Sequence, residues 1–273
     1  MTEADWLSGR DVYAMLRYLH FLRCFRQRRP ADPKVRLLAC QCCTVIPHLL
    51  RFEGSKQAFR TVEAFSRRSI TADELAIAVP FAEVGLDAAE TAWRAALGEL
   101  ASHKARAVAW AAEAVFYALG GRAGRTVTSI VWKAGTVGQV LWAVNCALVC
   151  DAGTDGAAAG HAERQRQLWL FHELFGNPFR PVSFLAEWRT EAVLGLARAI
   201  NEGGAFDLLP VLADALEEAG CADEQLLVHC RGLEPHTWGC WGLDMVLGVN
   251  VDQGAVRTGH ATNGTQGYDD KPA

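Results

Sequence analysis

Apolar residues recur along most of this chain at three- and four-residue spacing, the period that places them on one face of an α-helix. Asp11 stands ahead of Met15, Leu16, Leu19 and Leu22 and caps a helix to about Cys24. Val35, Leu38, Ala39, Cys42, Ile46 and Leu49 continue the pattern, which predicts a second helix kinked by Pro47. Helices follow over Ser55–Arg68 and Ala72–Val79, the latter opened by Thr71 and Glu74 in the spacing of a capping box. An alanine-rich helical region runs from Glu83 to Leu119, before Gly120, Gly121 and Gly124. The uncharged Ala134–Cys150 is next, and Asp151–Gly160 reads as a linker.

The last third is the most regular. Glu163–Phe175 is a helix stopped by Gly176, and NPFRP forces extended backbone. Ser183–Asn201 is helical. Asp207 is the expected cap of the next helix, with Phe206 and Val211 as its hydrophobic staple and Leu209, Leu212, Ala213 and Leu216 as its buried stripe. Helices Asp223–Cys230 and His236–Leu247 complete the pattern. No strand alternation appears, so the fold class is all-α, an antiparallel multi-helix bundle, with a solenoid as the alternative stacking. Residues 1–248 form one helical domain with a sub-boundary at 151–160. Residues 249–273, rich in glycine, threonine and aspartate, read as a disordered tail.

Composition narrows the class. With 51% hydrophobic and 21% charged residues and a formal charge of −4, the chain is globular and has no general drive toward nucleic acid. The basic segment Arg23–Arg36 could neutralise phosphates, but a solvated loop is the stronger reading. Ala134–Cys150 is too short for the ~20 residues of a membrane span, and the N-terminus lacks the pattern of a signal peptide. Nine cysteines, an odd count set largely within helical patterns, point to the cytoplasm.

Several phrases resemble a family of uncharacterised helical proteins from planctomycete bacteria: MTEADWL, RLLACQCCTVIPHLL, LFGNPFRPV, AFDLLPVLADALEEAGCADEQLLVHCRG and HTWGCWGLDMVLG. They cover roughly residues 1–75 and 168–248. The chain departs from the pattern where Thr44 and Val45 follow Cys43 in place of basic residues. LPVLADALEEAG is also similar to a short helical companion module found beside repeats in the same bacteria. The resemblance implies a helical fold and brings no activity with it.

The densest chemistry lies in Cys221–Asp244. On a helix from His236 to Leu247, His236, Cys240 and Asp244 would share one face at i, i+4 and i+8, close to His229 and Cys230. His229, Cys230, His236 and Cys240 are therefore the candidate metal ligands, with zinc as the candidate cofactor. The competing reading makes these thiols core filler, with Asp244 paired to an arginine, and it ranks first because paired CxxC spacings are missing. Cys40–Cys43 contains a CxxC, but Cys40 lies too far into its helix for redox activation. A site shared between Cys40 or Cys43 and the C-terminal cluster would join the two family-like ends.

No nucleophile elbow, HExxH helix or phosphate loop is present, so no catalytic residue is assigned. Most of the nine tryptophans are expected in the core, with Trp6 and Trp238 as the exposed exceptions that would anchor a protein partner. The leading expectation is an intracellular interaction or regulatory module without nucleic-acid or membrane contact. The alternative is a zinc-binding or thiol-based regulatory protein or metalloenzyme.

Overall fold

The computed structural model describes residues 1–22, 33–120 and 131–249. Among the described residues every regular element is helical, and the fold is an all-α multi-helix bundle. Most of the basic Arg23–Arg36 segment and all but the first residue of the tail lie outside them.

The N-terminal helices are short and well capped. α1 (Glu3–Ser8) opens with a capping box between Thr2 and Asp5 and closes on Gly9 in the left-handed region. α2 (Val12–Phe21) is capped by Asp11, whose carboxylate accepts from the amides of Tyr13 and Ala14. α3 (Pro33–Cys43) begins at a proline, since a missing N–H costs nothing in a first turn. It ends before Pro47, which starts a separate 3-10 turn, so no kinked helix runs to Leu49.

α4 (Glu53–Ser66) follows, then α5 (Ala72–Ala76) with the expected Thr71–Glu74 box. The alanine-rich region is two helices, α6 (Val79–Ala95) and α7 (Glu99–Ala118), separated at Gly98 with φ +87°. α4 and α6 cross at backbone contact: a Cβ on Gly54 would lie 2.5 Å from the Phe81 carbonyl oxygen, and one on Gly85 would overlap Ser55.

α8 (Val131–Ala152) packs on α3, α7 and α9 (Gly156–Phe175), burying Val140, Leu141, Val144 and Ala147. By length and composition one stretch, Val137–Phe175, could cross a membrane. It is bent by a 3-10 turn at Gly153–Asp155. That turn and the start of α9 occupy the segment expected as a linker. Gly156 and Gly160 serve a close crossing, because a Cβ on Gly156 would lie 2.7 Å from the Val149 carbonyl oxygen and one on Gly160 2.8 Å from the Val149 side chain.

The remaining helices are α10 (Glu191–Gly203), α11 (Leu209–Glu218), α12 (Glu224–Arg231) and α13 (Trp241–Leu247). α10 starts later than expected, at the Thr190 cap. Asp207 caps nothing: it sits in a 3-10 turn, and the α11 cap position is Leu208. Val211 is exposed, so the staple does not form, yet the stripe Leu209, Leu212, Ala213 and Leu216 is fully buried. Each of the three leucines contributes about 1.5–3 kcal/mol.

The buried apolar residues separate into two main clusters. One, from Trp6 to Leu174, is built by α1–α9. The other, from Trp188 to Val246, is built largely by α10–α13. The NPFRPV segment bridges them, and α13 rests against α9.

Candidate metal centre

At that junction two polar clusters lie side by side. The first is an ion knot. Asp244, in the first turn of α13, accepts from both terminal nitrogens of Arg68 at 2.5 and 2.7 Å. Lys34 Nζ reaches the same carboxylate at 2.7 Å and donates to the carbonyls of Leu174 at 2.8 Å and Gly239 at 3.1 Å. Burial alone would push the Asp244 carboxyl up, but Lys34 and Arg68 outweigh it and hold the group below its ordinary range. The expected pairing of Asp244 with an arginine is found.

The second cluster holds Glu173, His229, His236 and Cys240, whose donor atoms all lie within 4.8 Å of one another. Glu173 is in the last turn of α9 on the same face as Leu170 and Leu174, and its side chain is 3% exposed. His229 is in the last turn of α12, which Asp223 starts by accepting from the Leu226 amide at 2.9 Å. His236 is in the connection before α13, where the Trp169 indole donates to the Pro235 carbonyl at 3.1 Å. Cys240 is the cap residue of α13 and is fully buried.

Two glycines let this arrangement close. Gly239, at φ +93°, makes the turn that delivers Cys240, and a Cβ there would overlap Leu37 of α3. A Cβ on Gly242 would sit 2.9 Å from the His229 ring, so glycine lets that imidazole lie against α13.

Distances within the group are short. His236 Nδ1 is 3.1 and 3.2 Å from the two Glu173 oxygens. His229 Nε2 is 3.0 Å from Cys240 Sγ and 3.8 Å from Glu173 Oε2. The Thr237 amide donates to Glu173 Oε1 at 3.2 Å. His236 Nε2, by contrast, is buried with no hydrogen-bond partner. Burial, then the neighbouring His236 and Lys34, drives the His229 pKa down to about 3, so its imidazole is neutral at neutral pH. Burial first, and then the Glu173 carboxylate, pushes the Cys240 thiol well above its ordinary value.

Three of the four residues expected as ligands come together, on a scaffold other than one helical face. His229, His236 and Cys240 converge, but Cys230 does not join them: it is buried in the α10–α13 core, and burial raises its thiol to about 12. Glu173 takes the fourth place. The helix expected from His236 starts only at Trp241, so a turn, and not one helical face, brings His236 and Cys240 together. Asp244 points into the ion knot. Cys40, Cys42 and Cys43 are buried in the α1–α9 core, and burial pushes the first two up to about 12.

The two tryptophans expected on the surface are also placed differently. Trp6 is 1% exposed. It stacks on His172, meets Phe171 edge-on, and donates its indole N–H to the Gly176 carbonyl at 3.0 Å. A satisfied indole N–H removes the main cost of burying that ring. Trp238 is half-buried, edge-on to Phe206, and donates to the Asn201 carbonyl at 2.9 Å.

The N-terminal stretch of residues 1–75 and the C-terminal stretch of residues 168–248 do meet. Lys34 and Arg68 bind Asp244, Gln41 donates to the Trp238 carbonyl at 3.3 Å, and Glu3 pairs with Asn177 and Arg180. No protein-family model, curated protein or solved structure matches the chain.

Proposed function

We propose that this chain binds a divalent transition metal, zinc by preference, through Glu173, His229, His236 and Cys240. The observation that carries the reading is the convergence of two half-buried imidazoles, a buried thiol and a buried carboxylate within 4.8 Å. Two neutral imidazoles, one thiolate and one carboxylate sum to −2, which a dication neutralises, so the loaded site adds no net buried charge. Nitrogen, sulfur and oxygen donors in a set of four are what tetrahedral zinc takes. Zinc bonds of ~2.0–2.3 Å correspond to donor separations of about 3.3–3.7 Å, so the widest pair must close by about 1 Å. His236 Nε2 is buried without a hydrogen-bond partner, which supports a further group at this ring.

Four protein donors and deep burial leave no coordination position for a substrate, which favours a structural or regulatory ion over a catalytic one. A thiol ligand fits a reducing compartment such as the cytoplasm. This reading takes precedence over the interaction module because Trp6 and Trp238 do not form an exposed anchor. Elemental analysis of protein purified without an affinity tag tests it. About one equivalent of zinc per chain, lost in Cys240→Ser, is expected, and less than about half an equivalent after zinc-supplemented expression would overturn it.

A further inference from the structure

The four donors do not come from one packing unit. Glu173 belongs to α9 and the cluster built by α1–α9, whereas His229, His236 and Cys240 belong to the unit formed by α10–α13. Between the NPFRPV bridge and α13 lies an open cleft of about 320 Å³, lined by Gly176, Pro178, Pro181, Val182, Trp241 and Met245. Packing across the joint is therefore incomplete on the side facing the bridge. What crosses it is mainly polar: the ion knot on Asp244, and the contacts of Glu173 with His236 and Thr237.

We propose that the ion acts as a clasp, holding the α10–α13 unit on the end of α9, so that metal occupancy sets how often this joint opens. The inference rests on the metal reading above and adds to it a regulated motion. Opening the joint withdraws Glu173 from the other three donors. An ion that prefers the four-donor state lowers the opening constant by up to 1 + [M]/Kd, where M is the free metal, about 100-fold at 100 times Kd. The ion knot keeps the metal-free protein docked, so chelation loosens the joint without unfolding either core.

Amide hydrogen exchange on the full chain, with excess zinc and again after EDTA, reads this out. Zinc is expected to slow exchange at residues 170–176, on the α9 side, and at 229–247, with EDTA reversing both effects. In Glu173→Gln, whose amide can still bond to His236 and Thr237, zinc should still bind through three donors. It should protect 229–247 but no longer 170–176. Zinc uptake with protection confined to 229–247 in the wild type would overturn the clasp and leave the metal reading standing. Protection at 170–176 that persists undiminished in Glu173→Gln would also overturn it. No zinc uptake at all would overturn both. The wild-type comparison with and without EDTA stands by itself if the variant does not fold.

Discussion

The ion knot and the histidine–thiol cluster occupy the same joint, are similarly buried, and both reach α13, yet their hydrogen-bond accounts differ. Lys34 has three N–H donors, and Asp244, Leu174 and Gly239 accept them. Asp244 has both oxygens occupied by Arg68 and Lys34. The knot is complete as a purely protein structure. Glu173, His229, His236 and Cys240 offer more lone pairs than there are protons to share among them, and one imidazole nitrogen is left over. A buried polar cluster that closes on itself locks a fold, whereas one with surplus acceptors suits a cation.

Breaking the knot should have the largest effect. Asp244→Asn leaves Lys34 and Arg68 facing a neutral amide, and the loss of a buried ion partner costs about 3–5 kcal/mol, measurable by urea denaturation. Next in size is metal itself: zinc at 100 times Kd should stabilise the wild type by about 2.7 kcal/mol in thermal or urea unfolding, and Cys240→Ser should abolish the gain. Smaller is the cost of Cys230→Ala, about 1–2 kcal/mol from a lost buried sulfur, with zinc stoichiometry unchanged. That pair of cysteine variants separates the proposed ligand from the core thiol.

The smallest effect at ordinary pH lies in titration of the knot. Because the folded Asp244 carboxyl is held below 3.8, its contribution is fully present above pH 3.8 and is lost as pH falls through the folded value. Acid unfolding of the wild type should therefore steepen below pH 3.8, and Asp244→Asn should remove that component.

Much of the helical framework was legible because periodicity and capping are local. The Thr71–Glu74 box, the Asp11 cap and the Leu209–Leu216 stripe follow from residues within a few positions of each other. The errors arose where the decisive contact was distant. Gly156 and Gly160 read as linker until Val149 is seen against them. Trp6 reads as an exposed anchor until the carbonyl of Gly176 is found at its indole.

At the site, three of four donors were legible from their closeness in sequence. Glu173 was not, being 56 residues before His229. Its signal was a carboxylate within the apolar run LWLFHELF, on the face of Leu170 and Leu174, where a solvated acid does not belong. Cys230 falls outside the group because adjacent residues on a helix point about 100° apart, which turns it away from His229.

Cobalt(II) titration of the metal-free protein tests the central claim most directly, since cobalt takes zinc's place and reports its ligands by absorption. The account predicts saturation at one equivalent with a tetrahedral spectrum and a thiolate-to-cobalt charge-transfer band. The band should persist in Cys230→Ala and vanish in Cys240→Ser. Saturation without that band, or a band that follows Cys230 instead of Cys240, would contradict it.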